Sequence, residues 1–357
     1  MNSDFTKQLM RWHQNDNHRA MPWKGETDPY KIWLSEIILQ QTRVEQGLDY
    51  YNRFVAAFPT VHSLAKAPEK QVFKLWEGLG YYTRCRNLIA TAQYISKEKK
   101  GQFPNTYDEI LSLKGIGPYT AAAIASFAFS LPHAVMDGNV LRVLSRYFGI
   151  STAIDTTAGK KIYGLLADEL LDKTQPGLYN QAIMDFGATV CKPQLPQCSA
   201  CPQRRQCRAL QLNKVNALPV KEKQLVKKTR FFHYFICRYK EKTIVRQRTA
   251  KDIWQTLYEF PLLEAEQLLE NDDKRITDFA ATAAGTKKLS IIGISAAQRQ
   301  QLTHQLITGR FIEVQLASAP RLNDGYQLVS PQELAQLPFP KFITSWFQHK
   351  GRAPQLF

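Results

Sequence analysis

Four of the six cysteines in this 357-residue chain fall in one short stretch, CKPQLPQCSACPQRRQC at 191–207, with the spacing C-x6-C-x2-C-x5-C. Thiols this dense in a reducing compartment serve as metal ligands far more often than as disulfides. A metal would draw Cys191, Cys198, Cys201 and Cys207 towards one point, and any fold must allow that. Only Cys198 and Cys201 form the tight pair expected of a structural zinc site. Cys191 and Cys207 flank them at wider, unequal spacings, which a larger iron–sulfur body also tolerates. Spacing alone leaves both metals open. Prolines 193, 196 and 202 stiffen the loop. Cys85 and Cys237 stand alone and read as buried thiols.

The chain carries 47 Lys and Arg against 31 Asp and Glu, a net charge of +16. Such an excess favours polyanions, nucleic acid foremost, but names no chemistry. Lys192, Arg204, Arg205 and Arg208 place some of it on and beside the cysteine loop. No apolar run approaches the length of a membrane span. The first residues lack a signal-peptide pattern, so a cytoplasmic location is expected.

Residues 1–212 read as helical. In TDPYKIWLSEIILQQT, Asp28 is a candidate N-cap, Pro29 sits at the first helical position, and Ile32, Glu36 and Leu39 share a face. EKQVFKLWEGLG and LPHAVMDGNVLRVLSRYFG continue the helical pattern. A polar, charged stretch at 213–229 reads as a linker. Beyond it, TRFFHYFICRY, TIVRQR, KLSIIGI and RFIEVQLA have strand character, while ITDFAATAAG and SPQELAQL read as helices. A smaller α+β domain is therefore expected at 230–357.

The string LSLKGIGPYTAAAIASFAF carries a second strong signal. Two helices are expected across about 108–130, joined by a turn in which Gly115 and Gly117 permit a sharp bend and close approach of a ligand. Pro118 opens the second helix, whose free N–H groups and dipole suit a phosphate. The full L-x-G-I-G-P-x-T-A string resembles the helix-hairpin-helix of the DNA glycosylase superfamily. Taken with Asp137 in VMDGNVLRVLSR and the cysteine spacing, it is similar to the endonuclease III class of base-excision enzymes. SEIILQQTRVEQ, GLGYYTRCRNL and MDGNVLRVLSR resemble the MutY family of adenine DNA glycosylases within that class.

The resemblance implies a mainly α catalytic region with a helix-hairpin-helix glycosylase fold, an iron–sulfur loop holding a [4Fe–4S] cluster on Cys191, Cys198, Cys201 and Cys207, and a smaller Nudix-like α+β domain. By position, Glu36 would protonate the leaving adenine and Asp137 would stabilise the cationic sugar, with Tyr119 and Asn139 assisting. Gln41, Thr42, Leu79 and Tyr81 would enter or contact the duplex, and Gly115 and Gly117 would hold its phosphates. Bifunctional relatives carry a lysine where this chain has Tyr119, and some family members carry one at the place of Leu141. The chemistry implied is therefore base removal without strand scission.

KDIWQTLYEFPLLE resembles the Nudix-like domain of the same family, but no glutamate-rich R-E-x-x-E-E helix follows to bind magnesium. A role in reading 8-oxoguanine is implied instead. The family's F-S-H loop is matched by Leu302, Thr303 and His304. The implied substrate is double-stranded DNA with adenine opposite 8-oxoguanine or guanine, bound by a monomer at the bacterial nucleoid. The alternatives are a glycosylase of the same fold with another mismatch specificity, and a non-catalytic lesion sensor. The presence of both Glu36 and Asp137 argues against the sensor.

Overall fold

The computed structural model describes residues 2–42, 44–222, 226–323 and 325–349. Part of the expected linker, 223–225, and the last residues of the chain lie outside this set. The chain forms two compact units, one of Met1–Lys66 with Arg86–Lys223, the other of Ala67–Cys85 with Gln224–Phe357.

In chain order the helices are α1 (Asn2–Asn15), α2 (Pro29–Leu39), α3 (Val44–Ala57), α4 (Val61–Lys66), α5 (Glu69–Trp76), α6 (Tyr82–Glu98), α7 (Tyr107–Leu111), α8 (Pro118–Phe129), α9 (Gly138–Phe148), α10 (Thr157–Leu170), α11 (Pro176–Thr189) and α12 (Arg208–Gln211). The first unit is built from these, α5 and the first turn of α6 excepted. Asp28 caps α2 by accepting from the Tyr30 N–H at 2.9 Å, and Pro29 follows at the first position. Almost every side chain of α2 is buried, Glu36 among them. This helix packs against α8, whose run Ala121, Ala122, Ala123, Ile124 and Ala125 keeps side chains short at the contact. Close approach of the two helices follows from those small residues. One core joins Phe5, Leu9 and Trp12 of α1 to Val143 and Leu144 of α9, Tyr163 of α10 and Phe186 of α11. Trp12 meets Phe186 edge-on with ring centres 5.0 Å apart.

One expectation needs correction. The helical reading of LPHAVMDGNVLRVLSRYFG fails at its start, because residues 131–137 are not helical and α9 begins only at Gly138. Pro132 lacks an N–H and biases the residue before it away from helix. Asp137 then supplies the cap at which the helix starts.

The second unit adds α13 (Lys274–Ala284), α14 (Pro331–Ala335) and α15 (Lys341–His349) to eight strands: β1 (Lys228–Tyr239), β2 (Lys242–Gln247), β3 (Tyr258–Glu259), β4 (Leu262–Ala265), β5 (Leu289–Ile294), β6 (Gln298–Gln301), β7 (Gln305–Leu316) and β8 (Tyr326–Val329). The sheet runs β3-β2-β1-β7-β5, with β4 on β1, β6 on β7 and β8 on β2. β1 and β7 pair in parallel, Phe235 beside Ile312, while the other pairings are antiparallel. Side chains alternate across the pleat. Phe235, Cys237, Ile312 and Val314 therefore meet Ile276, Ala280 and Ala284 of α13 on one face. Tyr234 and Phe311 stack on the other, against Phe342 and Trp346 of α15. A sheet covered on both faces explains why β1 reads as a continuous apolar run.

Candidate active site

A cavity of about 850 Å³ opens in the helical unit, and Glu36, Tyr119, Asp137, Asn139, Gln41 and Thr42 all line it. Glu36 comes from the middle of α2, Tyr119 from the first turn of α8 and Asp137 from the cap of α9. Glu36 is only 7% exposed. Burial pushes its carboxyl up to about 7, the Asp137 charge adds to that rise, and a hydrogen bond donated by the Tyr119 hydroxyl opposes it. Burial and the two nearby carboxyls hold the Tyr119 hydroxyl far above its usual range, so it remains a donor.

Asp137 is held differently. One carboxylate oxygen accepts from the backbone N–H groups of Asn139 and Val140, both at 2.8 Å, and the other from the Asn139 side-chain amide at 2.7 Å. Burial raises its pKa, while these bonds and the Arg142 guanidinium pull the other way. Asn139 is fixed in turn by Arg142, which donates to its Oδ1 at 2.8 Å, to the Gly187 carbonyl at 2.7 Å and to the Cys191 carbonyl at 2.8 Å. A Cβ at Gly187 would lie 2.6 Å from the Cβ of Asn139, so only glycine lets α11 come this close to the start of α9.

The hairpin turn places Gly115 at φ +82, where a Cβ would also strike Asn87 at 2.6 Å. Gly117 is different: its backbone is in the extended region at φ −100 and nothing lies within 4 Å of a Cβ there. The expectation that both glycines bend the chain holds for Gly115 only. Gly117 caps α8 without a side chain and leaves that helix start open to approach.

Leu79, Tyr81, Thr303 and His304 belong to the second unit. Leu79 is buried. Tyr81 is 43% exposed at φ +49, and its hydroxyl hydrogen-bonds to that of Thr303. Thr303 sits in a tight turn closed by the Leu302 N–H on the Gln305 carbonyl at 2.8 Å, while the His304 carbonyl accepts from Lys228. Gln41 also takes a positive φ, +57, at the end of α2. A bulky residue held in the left-handed region stores strain that its surroundings must support.

All four clustered cysteines are free thiols, and together they line one small cavity with Arg146. Burial pushes Cys201 up to about 12 and raises Cys191 and Cys207. Arg146, itself buried, donates to the Cys191 sulfur at 3.6 Å and to the Lys192 carbonyl at 2.7 Å. Among the described residues no three His, Cys, Asp or Glu side chains are grouped closely enough to hold a single metal ion.

Sequence reasoning missed part of the cavity wall. His13, Arg19, Lys24 and Gln181 also line it, and a fully buried carboxylate, Asp185, stands behind them. Nothing local marks these residues, since α11 lies more than 150 positions from Lys24. Arg142 was missed too, although an arginine among the apolar positions of α9 was a signal.

Residues 34–163 match the family described as HhH-GPD superfamily base excision DNA repair protein, and 233–349 match the NUDIX domain. The adenine DNA glycosylase of Buchnera aphidicola subsp. Baizongia pistaciae is 36% identical over 72% of this chain and 73% of its own. That of Mus musculus is 40% identical over 60% of this chain and 44% of its own. A thermostable thymine-DNA glycosylase structure aligns with TM-score 0.55 and 28% identity, covering 59% of this chain and 97% of that one. An endonuclease III trapped on DNA aligns at TM-score 0.52 and 19% identity, over 60% and 98%, and so shares the fold. With the Buchnera relative matched at 36% identity over 73% of its length and a base-excision domain around Glu36 and Asp137, the chain belongs to the adenine DNA glycosylase family.

Proposed function

We propose that the protein is a monofunctional glycosylase that hydrolyses the N-glycosidic bond of adenine opposite 8-oxoguanine or guanine. The pairing of Glu36 and Asp137 carries this reading. Adenine leaves poorly until a ring nitrogen is protonated, and an acid poised near neutrality can deliver that proton. Glu36, pushed up to about 7, is such an acid. As the bond breaks the sugar gains oxocarbenium character, and an anion beside it lowers the barrier. Asp137 has three donors supporting its charged form. Two carboxyls kept in different protonation states by their surroundings is the logic of glycoside cleavage. Water then completes the hydrolysis.

The adenine must leave the duplex to reach the cavity, at a cost of a few kcal/mol that a mismatch reduces. Gln41 and Tyr81 would wedge the opened stack. Gly115, the open start of α8 at Gly117 and the basic residues of the cysteine loop would hold phosphates. Thr303 and His304, with Tyr81, would read the 8-oxoguanine. With Tyr119 in the place of a lysine, and Leu141 packed against the core, neither of these two positions offers an amine for strand scission. The protein would work as a monomer on DNA at the nucleoid. No described helix is long and apolar enough to cross a membrane.

The four thiols fit a [4Fe–4S] cluster better than a single zinc. They surround one cavity, and only Cys198 and Cys201 form the tight pair of a zinc site. Arginines 142 and 146 beside Cys191 would compensate an anionic cluster. Cys191, Cys198, Cys201 and Cys207 would hold it, and its service would be to brace the loop.

The test is incubation with an A:8-oxoguanine duplex followed by alkali. Cleavage that appears only after alkali is expected, and Glu36→Gln should abolish it while leaving duplex binding intact. Retained turnover in that variant would remove Glu36 from its role. The likeness to a thymine-DNA glycosylase structure gives a rival specificity, and a panel including G:T mispairs separates the two.

A further inference from the structure

Glu77 follows the last residue of α5 and stands just ahead of the turn that carries Tyr81. Its Oε1 accepts from the Phe339 N–H at 2.7 Å, and its Oε2 accepts from the Lys74 ammonium at 2.8 Å. Lys74 donates onward to the Leu337 carbonyl at 3.1 Å. The Lys74 and Glu77 side chains are only 19% and 12% exposed. Together they grip the connection between α14 and α15, inside the second unit.

The grip falls where the backbone can answer it. Pro338 and Pro340 have no N–H, so Phe339 carries the backbone donor of that run. The Pro338 carbonyl accepts from the Tyr258 N–H of β3 at 2.9 Å, and the Phe339 ring stacks on Phe260 with ring centres 5.6 Å apart. The connection is thus fixed to the sheet, and Glu77 is fixed to the connection. A sheltered ion pair adds little net stability. What this one supplies is a set distance between the end of α5 and the sheet.

From Glu77 the chain reaches Tyr81 through a braced turn. Gly78 and Gly80 take φ +91 and +79. The Gly80 carbonyl accepts from the Trp76 indole at 2.9 Å, and the Arg84 guanidinium lies 5.2 Å from the centre of the Tyr81 ring. The Tyr81 hydroxyl then meets that of Thr303. The turn is therefore attached at both ends, by Glu77 to Phe339 and by Tyr81 to Thr303.

We propose that Glu77 is a positioning residue for reading the base opposite the adenine: its bond to the Phe339 N–H holds the Tyr81 turn so that Tyr81 stays with Thr303. The two residues then meet 8-oxoguanine as one surface. Without the clasp they part, and the preference for 8-oxoguanine over guanine falls while the cleavage chemistry does not. The inference rests on the reading above in which Tyr81 and Thr303 face 8-oxoguanine.

The closing experiment compares adenine release, at limiting protein, from duplexes with adenine opposite 8-oxoguanine and opposite guanine. Glu77→Ala should lower the preference by roughly tenfold and leave the rate opposite guanine unchanged. Glu77→Gln keeps an acceptor for the Phe339 N–H and should keep most of the preference. In a Thr303→Val chain, Glu77→Ala should change the preference no further, because both act on one contact. Equal losses on the two duplexes in Glu77→Ala, or a full further loss on top of Thr303→Val, overturn the proposal. A Thr303→Val chain that keeps the preference refutes the reading itself, and this inference with it. Should Glu77→Ala fail to fold, Glu77→Asp serves: its charge stays beside Lys74, but its carboxylate is one methylene short of the Phe339 N–H. It should lose the preference that Glu77→Gln keeps, and equal behaviour of the two overturns the proposal.

Discussion

Tyr119 donates its hydroxyl proton to the carboxyl of Glu36, and so works against the burial that raises that carboxyl to about 7. The two residues come from α8 and α2, helices brought together by a run of alanines. A hydrogen bond to a carboxylate favours its charged form. Tyr119 therefore trims the acid's pKa towards the working pH.

Removing that bond should move the pH profile in a defined direction. Glu36 must be protonated to act, so the rate of adenine release should fall as pH rises through about 7. Tyr119→Phe takes away the group that lowers this pKa, so the alkaline limb should shift to higher pH. Single-turnover rates between pH 5 and pH 9 would show it. A limb that stays in place, or moves to lower pH, would mean that Tyr119 does not contact the acid.

The same carboxyl should tax stability. Its folded pKa, about 7, exceeds the usual 4.5. Between these values the folded chain keeps a proton that the unfolded chain has shed, so stability falls as pH rises from 4.5 to 7 and then levels. Glu36→Gln lacks this slope. It should be more stable than the unaltered protein at pH 8, by on the order of 3 kcal/mol, and indistinguishable from it near pH 4. Denaturant midpoints at the two pH values are the measurement. Equal midpoints at pH 8 would show that Glu36 ionises without penalty.

The reach of the sequence explains which of these groups could be seen beforehand. Glu36 and Asp137 lie in short continuous motifs, and their helix caps and glycines are local chemistry that a linear string displays. The alternation in β1 and β7 is local in the same sense. Asp185, Gln181 and Lys24 meet only because α11 folds back on the segment before α2, and no spacing rule records such a meeting. The false start of α9 arose because apolar residues at 131–136 mimic a helical pattern, while Pro132 and the Asp137 cap decide otherwise. Gly117 was over-read, since glycine in extended backbone needs no left-handed freedom.

Loss of the proposed cluster should be felt at the base pocket as well as at the cysteines. Arg142 spans the two places, donating both to the Cys191 carbonyl and to Asn139, which holds Asp137. The purified protein should be brown and carry iron and sulfide in equal amounts. Cys201→Ser should lose the visible absorption and lower the thermal midpoint, since a metal that binds only the folded chain adds its binding energy to stability. Adenine release should drop even at duplex concentrations that saturate binding. A colourless, zinc-loaded protein would refute the iron assignment, and unchanged release at saturation would sever the link through Arg142.

Strain in the second unit offers a test independent of any chemistry. Between β2 and β3, Trp254 has φ +60 and Thr256 has φ +77. The turn is held from both sides: the Thr256 N–H donates to the Arg248 carbonyl at 2.7 Å, and the Gln247 amide donates to the Thr256 carbonyl at 2.9 Å. A β-branched residue at positive φ costs on the order of 1–3 kcal/mol. Thr256→Gly removes that cost but loosens the unfolded chain by roughly 0.5–1 kcal/mol. A net gain of about 1 kcal/mol is therefore expected. Trp254 is the contrast. Its ring packs on Phe232 and Phe342, so Trp254→Gly should lose far more packing than it relieves in strain. A protein of two units need not unfold in one step, so the midpoint to follow is that of the sheet unit. Thr256→Gly should raise it and Trp254→Gly should lower it. A fall in both would show that Thr256 is not strained.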